Sequence, residues 1–327
     1  MTSIVLFLLL GLVLLVVGGE FLVRGASGLA LKLGVSRLFI GLTVVAFGTS
    51  APEAFVSVAA ALGGAADLSV GNVVGSNIFN ILFILGLSAL ILPLTVSTRL
   101  VRFDAPFMVG VSILLLLLAS NGSLGRLEGL GLMGLLLLHT WLAYRYGVRA
   151  SAAQAPLAPL VPQTPPDFPR RRRLLNTLPV NLGLVLLGLV LLVLGSHWLV
   201  DSSMTLARFL GVPELVIGLT IVAAGTSLPE VATSVIAAIK REPDLAVGNI
   251  IGSNIFNILG VLGLAATVAP GGLKVSSTIQ LMDGPVMLVA ALVCLPLMHS
   301  GLVLKRWEGA LLLAGYLGYT GFLIAGV

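Results

Sequence analysis

Residues 41–86 read GLTVVAFGTSAPEAFVSVAAALGGAADLSVGNVVGSNIFNILFILG, and residues 218–263 read GLTIVAAGTSLPEVATSVIAAIKREPDLAVGNIIGSNIFNILGVLG. Aligned at a shift of 177 residues, 29 of the 46 positions are identical. Shared hydrophobicity does not produce such a match, because the identities include Thr, Ser, Pro, Glu, Asp, Asn and Gly. The chain is an internal duplication. Its surroundings place the copies in a membrane: 58% of the 327 residues are hydrophobic and 9% charged, against about 25% charged in a soluble domain. Apolar runs of about 18 residues or more, long enough to span a bilayer, recur throughout. A β-barrel would show short alternating segments instead, so the expected class is an all-α polytopic membrane protein.

Ten segments are expected, near 3–23, 37–62, 68–92, 104–120, 125–147, 180–206, 213–239, 245–269, 281–298 and 303–326. They form one five-helix repeat over 1–147 and a second over 180–327, each containing one copy of the motif block. Between them, 148–179 is rich in Pro and Ala and ends in Arg170–Arg173, a linker composition. It is too short and too poor in apolar residues to hold a regulatory domain, and its arginines suit anionic lipid at the inner surface.

Five is odd, so the second repeat enters the membrane with opposite polarity. Basic residues agree. Loops after odd-numbered helices carry 15 of the 18 Lys and Arg, and loops after even-numbered helices carry only Arg126, Arg208 and Lys274. The positive-inside rule puts the odd side and the linker in the cytoplasm and both termini outside the cell (inner) membrane. GGAAD (63–67) faces out, whereas its counterpart KREPD (240–244) is basic and faces in. The net charge of +5 makes no case for nucleic acid. The N-terminal apolar run lacks a basic start and a clear cleavage site, and reads as a retained first helix. The lone Cys294 excludes an intrachain disulfide.

The motif blocks are costly for a membrane helix. A mid-span carboxylate costs about 2.5–3.5 kcal/mol on insertion scales, yet Glu53 and Glu230 lie well inside their segments with no Lys or Arg nearby. Each needs a cation or a proton. Gly48 loosens the backbone by its conformational freedom, and Pro52 has no N–H for the carbonyl of Gly48. The second and seventh helices are expected to be broken there, with freed carbonyls lining a cavity. Thr49, Ser50 and Glu53 fall within about one turn, as do Thr226, Ser227 and Glu230. In the following helices, Ser76 and Asn80 share a face, as do Ser253 and Asn257. Asn77 and Asn254, one step round, are placed to bind the backbone of a neighbouring broken helix. Carboxylates, hydroxyls and amide oxygens without thiols or clustered histidines select a hard cation.

GTS-x-PE and GSN-I-x-N, each present twice, resemble the paired repeats of the cation/calcium antiporter superfamily, specifically the prokaryotic sodium/calcium exchangers. The architectural resemblance covers nearly the whole chain and the motifs about 46 residues of each half. It implies Ca²⁺ and Na⁺ as transported ions, with no other cofactor. The implied ligands are Ala46, Thr49, Ser50 and Glu53 with Ala223, Thr226, Ser227 and Glu230, joined by Ser76, Asn80, Ser253 and Asn257. Both alanines enter only through the resemblance, as backbone-carbonyl ligands. Some exchangers carry Asp where this chain has Asn80 or Asn257, leaving two carboxylates here, which balance one Ca²⁺ or two Na⁺. GNVVGSN and GNIIGSN lack the acidic residue of the proton-coupled branch, which favours sodium. The resemblance also implies that the first and sixth helices slide as a moving pair.

Plainer roles compete. The glutamates could be neutral packing residues, and the serines and asparagines could make interhelical hydrogen bonds. Asp67, Asp244, Asp104 and Asp283 read as N-terminal caps of the third, eighth, fourth and ninth helices. Glu20 with Arg24, and His197 with Asp201, read as local i, i+4 pairs. His139, His197 and His299 form no catalytic or metal set. The expected function is Na⁺/Ca²⁺ antiport around a single central site, for which a monomer suffices. A proton/Ca²⁺ antiporter is the nearest alternative, and a cation channel would use similar oxygens. Nothing resembles a nucleophile and its base, so no enzyme is expected.

Overall fold

The computed structural model describes residues 2–153, 177–210 and 223–325. Expectations for Arg170–Arg173, for most of the linker, and for the start of the seventh segment fall outside these residues. Helix α1 spans Thr2–Leu33, ten residues further than its expected end. Helices α2 (Arg37–Thr49) and α3 (Ala51–Leu62) form one bent pair. They are followed by α4 (Ala66–Ile91), α5 (Leu100–Asn121) and α6 (Arg126–Ala153). Beyond the linker come α7 (Leu178–Phe209), the short α8 (Ala223–Gly225), α9 (Leu228–Ile239), α10 (Pro243–Val268), α11 (Ile279–His299) and α12 (Arg306–Ala325). Among the described residues, eight helices are long and apolar enough to cross a membrane by themselves. The chain is a helical, polytopic membrane protein.

Helices α4 and α10 occupy the centre: 72% and 78% of their most apolar windows are buried, against 17–44% for the other long helices. Helices α1 and α7 instead expose apolar side chains, such as Val5, Leu9, Val13, Leu186 and Val190. They pack on each other in opposite directions along a seam of glycines. A Cβ added at Gly11 would meet the carbonyl of Gly195, one at Gly18 the carbonyl of Gly188, and one at Gly25 the carbonyl of Asn181, all within 2.9 Å. The backbones touch because nothing stands between them.

Two very short antiparallel ladders, which the apolar periodicity does not disclose, tie distant parts together. Strand β1 (Leu94–Thr95) pairs with β4 (Val303–Leu304), and β2 (Ser123–Leu124) with β3 (Leu273–Lys274).

Several expected local roles are replaced by distant ones. Asp104 and Asp283 do not cap, because their helices begin four residues earlier, at Leu100 and Ile279, and both already have helical backbone angles. Asp104 is fully buried, 3.4 Å from both Arg99 Nε and His139 Nε2, and His139 stacks on Phe107. Asp283 accepts from the Tyr319 hydroxyl at 2.8 Å. Asp67 lies one residue inside α4 and accepts from the backbone N–H of Ser276 at 3.1 Å. Asp244 follows Pro243 inside α10, where Glu242 is the cap residue, and stands near Arg37. Glu20 pairs with Lys240, the residue that follows α9, not with Arg24. His197 and Asp201 do pair, at 3.2 Å.

Candidate ion site

Both broken helices turn at a serine. Ser50 joins α2 to α3 with φ −83° and ψ 9°, and the axis bends by 47°. Ser227 joins α8 to α9 with φ −90° and ψ 8°. Pro52 and Pro229 sit in the first turns of α3 and α9, where a missing N–H and a fixed φ suit a helix start. Pro229 has no N–H for the carbonyl of Gly225, which takes the Ser196 hydroxyl of α7 at 2.6 Å instead. Gly48 lies within a helix and its conformational freedom goes unused. A Cβ there would stand 2.6 Å from Leu189 of α7, and a Cβ on Gly225 would stand 2.6 Å from Val200 of the same helix. The glycines let α7 pass directly over both breaks.

The breaks bring the two motifs face to face. Ser50 Oγ donates to Glu230 Oε1 at 2.8 Å, and Ser227 Oγ donates to Glu53 Oε1 at 2.8 Å. Each carboxylate is thus held by the serine of the other copy. Both glutamates and both serines have zero exposure, and the two carboxylates are close enough to interact electrostatically. Ser76 stands 3.3 Å from Ser227, oxygen to oxygen. Thr226 lies beside Glu53, while Thr49 and Ser253 lie beside Glu230. The carbonyl of Ala46 accepts the Ser50 N–H at 3.0 Å, with the Thr49 hydroxyl at 3.4 Å. That carbonyl therefore retains its helical bond and is not a freed one; its second lone pair can serve an ion because the single Thr49 hydrogen goes to the nearer Asn249 Oδ1, at 3.1 Å. Ala223 begins the described part of α8.

Asn80 and Asn257 join from α4 and α10, each where its helix widens into a π-helical turn (Phe79–Leu85 and Asn257–Leu262). Such turns recur at functional positions. Asn80 Nδ2 donates to Asn254 Oδ1 at 3.2 Å, and Asn257 Nδ2 donates to Asn77 Oδ1 at 3.1 Å. Asn77 itself donates to the backbone carbonyl of Asn254 at 3.2 Å, so its backbone partner belongs to α10, not to a broken helix.

Four residues absent from the expected ligand set lock this frame. Asn72 donates to Ser57 Oγ at 2.9 Å and to the carbonyl of Glu53 at 3.3 Å. Asn249 donates to Ser234 Oγ at 3.0 Å and accepts from Thr49 at 3.1 Å. All four are polar positions preserved between the copies, a signal that the duplication carries and that motif matching passes over.

Six oxygens remain without a hydrogen-bond partner: Oε2 of Glu53 and Glu230, Oδ1 of Asn80 and Asn257, Oγ of Ser253 and Oγ1 of Thr226. No Lys, Arg or His is among the described partners of either carboxylate. Buried carboxylates without a countercharge are expensive, at several kcal/mol each. An array of hard oxygens with two negative charges suits Na⁺ or Ca²⁺. The described residues hold no group of three His, Cys, Asp or Glu that could bind a permanent metal.

The family model described as "Sodium/calcium exchanger protein" matches residues 3–145 and 180–325, which is most of the chain. The chain belongs to this family. Among its relatives, this family member is 35% identical to the sodium/calcium exchanger MaX1 of Methanosarcina acetivorans, over 96% of each chain. It is 41% identical to the inner membrane protein YrbG of Escherichia coli, over 81% of this chain and 79% of YrbG. Its fold matches that of the sodium–calcium exchanger NCX_Mj soaked with zero Na⁺ and Ca²⁺, with a TM-score of 0.82, 30% identity, and coverage of 99% of this chain and 100% of the other. The sodium/calcium exchanger resemblance drawn from the motifs is confirmed at the level of the family.

Proposed function

We propose that this chain is a secondary antiporter that exchanges Na⁺ for Ca²⁺ by alternating access, with Na⁺ entering down its gradient and Ca²⁺ leaving the cell. The observation that carries the proposal is the reciprocal pairing of two fully buried glutamates with serines of the opposite copy, each glutamate keeping one oxygen free. The ions bind to Glu53, Glu230, Thr49, Ser50, Thr226, Ser227, Ser76, Asn80, Ser253 and Asn257, with the backbone carbonyls of Ala46 and Ala223. Empty, the site would leave two carboxylates uncompensated, which discourages crossing without cargo and couples the two fluxes.

The chain folds as ten transmembrane helices in two inverted five-helix repeats. The opposed directions of α1 and α7 support this, since they begin the two repeats. Arg37, at the start of α2, binds Glu242, just beyond the end of α9, at 2.6 Å. The two broken helices therefore run oppositely. Both ladders join one repeat to the other. Charge placement puts the termini outside the cell membrane and 148–179 in the cytoplasm.

Purified protein in Na⁺-loaded liposomes tests the function. Ca²⁺ uptake should require the outward Na⁺ gradient, and Glu53→Gln and Glu230→Gln should each abolish it while the protein stays folded. Uptake that follows a pH gradient and ignores Na⁺ would replace sodium with protons. Uncoupled conductance would indicate a channel, and normal transport in either variant would refute the site.

A further inference from the structure

A carboxamide is a nearly symmetric fork with opposite ends: turned by half a rotation, it offers N–H groups where an oxygen stood. A cation site built on asparagines must exclude that rotation. We propose that Asn77 and Asn254 are positioning residues that fix the carboxamides of Asn257 and Asn80 so that oxygen, not NH₂, faces the transported cation. This rests on the assignment of Asn80 and Asn257 as ligands.

The orientation propagates from groups that can only accept. Asn77 Nδ2 points at the backbone carbonyl of Asn254, at 3.2 Å, and at Met287 Sδ, at 3.8 Å. A carbonyl and a thioether offer no hydrogen, so the NH₂ of Asn77 belongs on that side and its Oδ1 on the other. That Oδ1 receives Asn257 Nδ2 at 3.1 Å. Asn254 Nδ2 likewise points at Met108 Sδ at 3.5 Å, and its Oδ1 receives Asn80 Nδ2 at 3.2 Å. Rotating Asn80 or Asn257 would set oxygen against oxygen on that side. With their NH₂ groups so occupied, both ligand asparagines present an Oδ1 with no other partner, in side chains at most 1% exposed. Ser76 and Asn80 lie one turn apart on α4, which puts Asn80 on the face where the Ser76 hydroxyl stands 3.3 Å from Ser227. The repeat supplies the same device twice, with the two helices exchanging roles.

A carboxylate at the ligand position would need no such control, because both its ends are oxygens. That difference supplies the test. Asn77→Ala should lower Ca²⁺ affinity about tenfold or more, the size expected when a buried polar partner is lost. Asn257→Asp should still bind. In the double variant Asn77→Ala/Asn257→Asp, affinity should be no lower than that of Asn257→Asp alone, because nothing remains to orient and Asn77 Oδ1 no longer faces a carboxylate oxygen. Affinity for Ca²⁺ and Na⁺ is measured on purified protein, with thermal unfolding recorded in parallel. The mirror set, Asn254→Ala with Asn80→Asp, gives the same readout if the first set folds poorly, since the backbone carbonyl that holds Asn77 survives in it. An equal loss from Asn77→Ala in the Asn257 and Asp backgrounds would overturn the proposal, by showing that Asn77 acts through packing. Unchanged affinity in Asn77→Ala and Asn254→Ala would also overturn it. If Asn257→Ala and Asn80→Ala bind normally while Glu53→Gln does not, the asparagines are no ligands; if Glu53→Gln also binds normally, the ion site itself has been misassigned.

Discussion

Two alanine substitutions only five residues apart on α7 should have opposite signs. Gly188 lies on the seam with α1, where an added Cβ would stand 2.6 Å from Leu22 N, 2.8 Å from Gly18 O and 3.0 Å from Leu22 Cα. All three are backbone atoms and cannot turn aside. The helices must part by several tenths of an ångström, and overpacking of this kind costs about 1–3 kcal/mol. The gain in helix propensity from replacing glycine, about 1 kcal/mol at most, offsets only part of it. Gly183 is exposed, and an added Cβ there would meet nothing within 4 Å. Gly183→Ala therefore keeps the propensity gain without the clash. Thermal unfolding of the purified protein in one detergent should rank Gly183→Ala at or above the wild type and Gly188→Ala clearly below it. Leu189, next to the substitution, also covers the first break at Gly48, so Gly188→Ala should impair transport as well. If Gly188→Ala is as stable as Gly183→Ala, direct backbone contact between α1 and α7 is refuted.

Three further outcomes are expected. Asp104→Asn strips a buried guanidinium of its countercharge, beside a buried imidazole, and should cost about 3 kcal/mol in thermal or denaturant unfolding, while the remaining folded protein keeps its ion preference. Ser50→Ala and Glu230→Ala, 180 residues apart in sequence, should show a coupling of about 1.5–3 kcal/mol in a double-mutant stability cycle, as for a hydrogen bond to a charged group; additive effects would deny the bond. Ser196→Ala leaves the carbonyl of Gly225 without its hydroxyl partner and should lower the unfolding midpoint by the equivalent of about 1 kcal/mol.

The sequence discloses what is periodic or duplicated. Long apolar runs mark the spans, and the repeated GTS-x-PE and GSN-I-x-N blocks mark the polar centre, because lipid tolerates such residues only when they are used. What it hides is partnership at a distance. Glu20 has Arg24 one turn away, yet binds Lys240. Asp104 and Asp283 stand where a cap would stand if their helices began later. The glycine at position 48 reads as a loosened backbone, but its purpose lies in Leu189 of another helix. The run after residue 23 contains Gly25, Gly28 and charged Lys32, and so resembles a helix end. Packing of Gly25 on α7 carries α1 through to Leu33.

Duplication ordinarily leaves a reserve copy free to drift. Here each serine secures the glutamate of its twin, so on the proposed function damage to one block would disable both and neither could shelter the other. Selection sees a single unit written in two places, and suppressors of a lesion in one block belong in the opposite one. Two copies bound in this way have reason to remain alike.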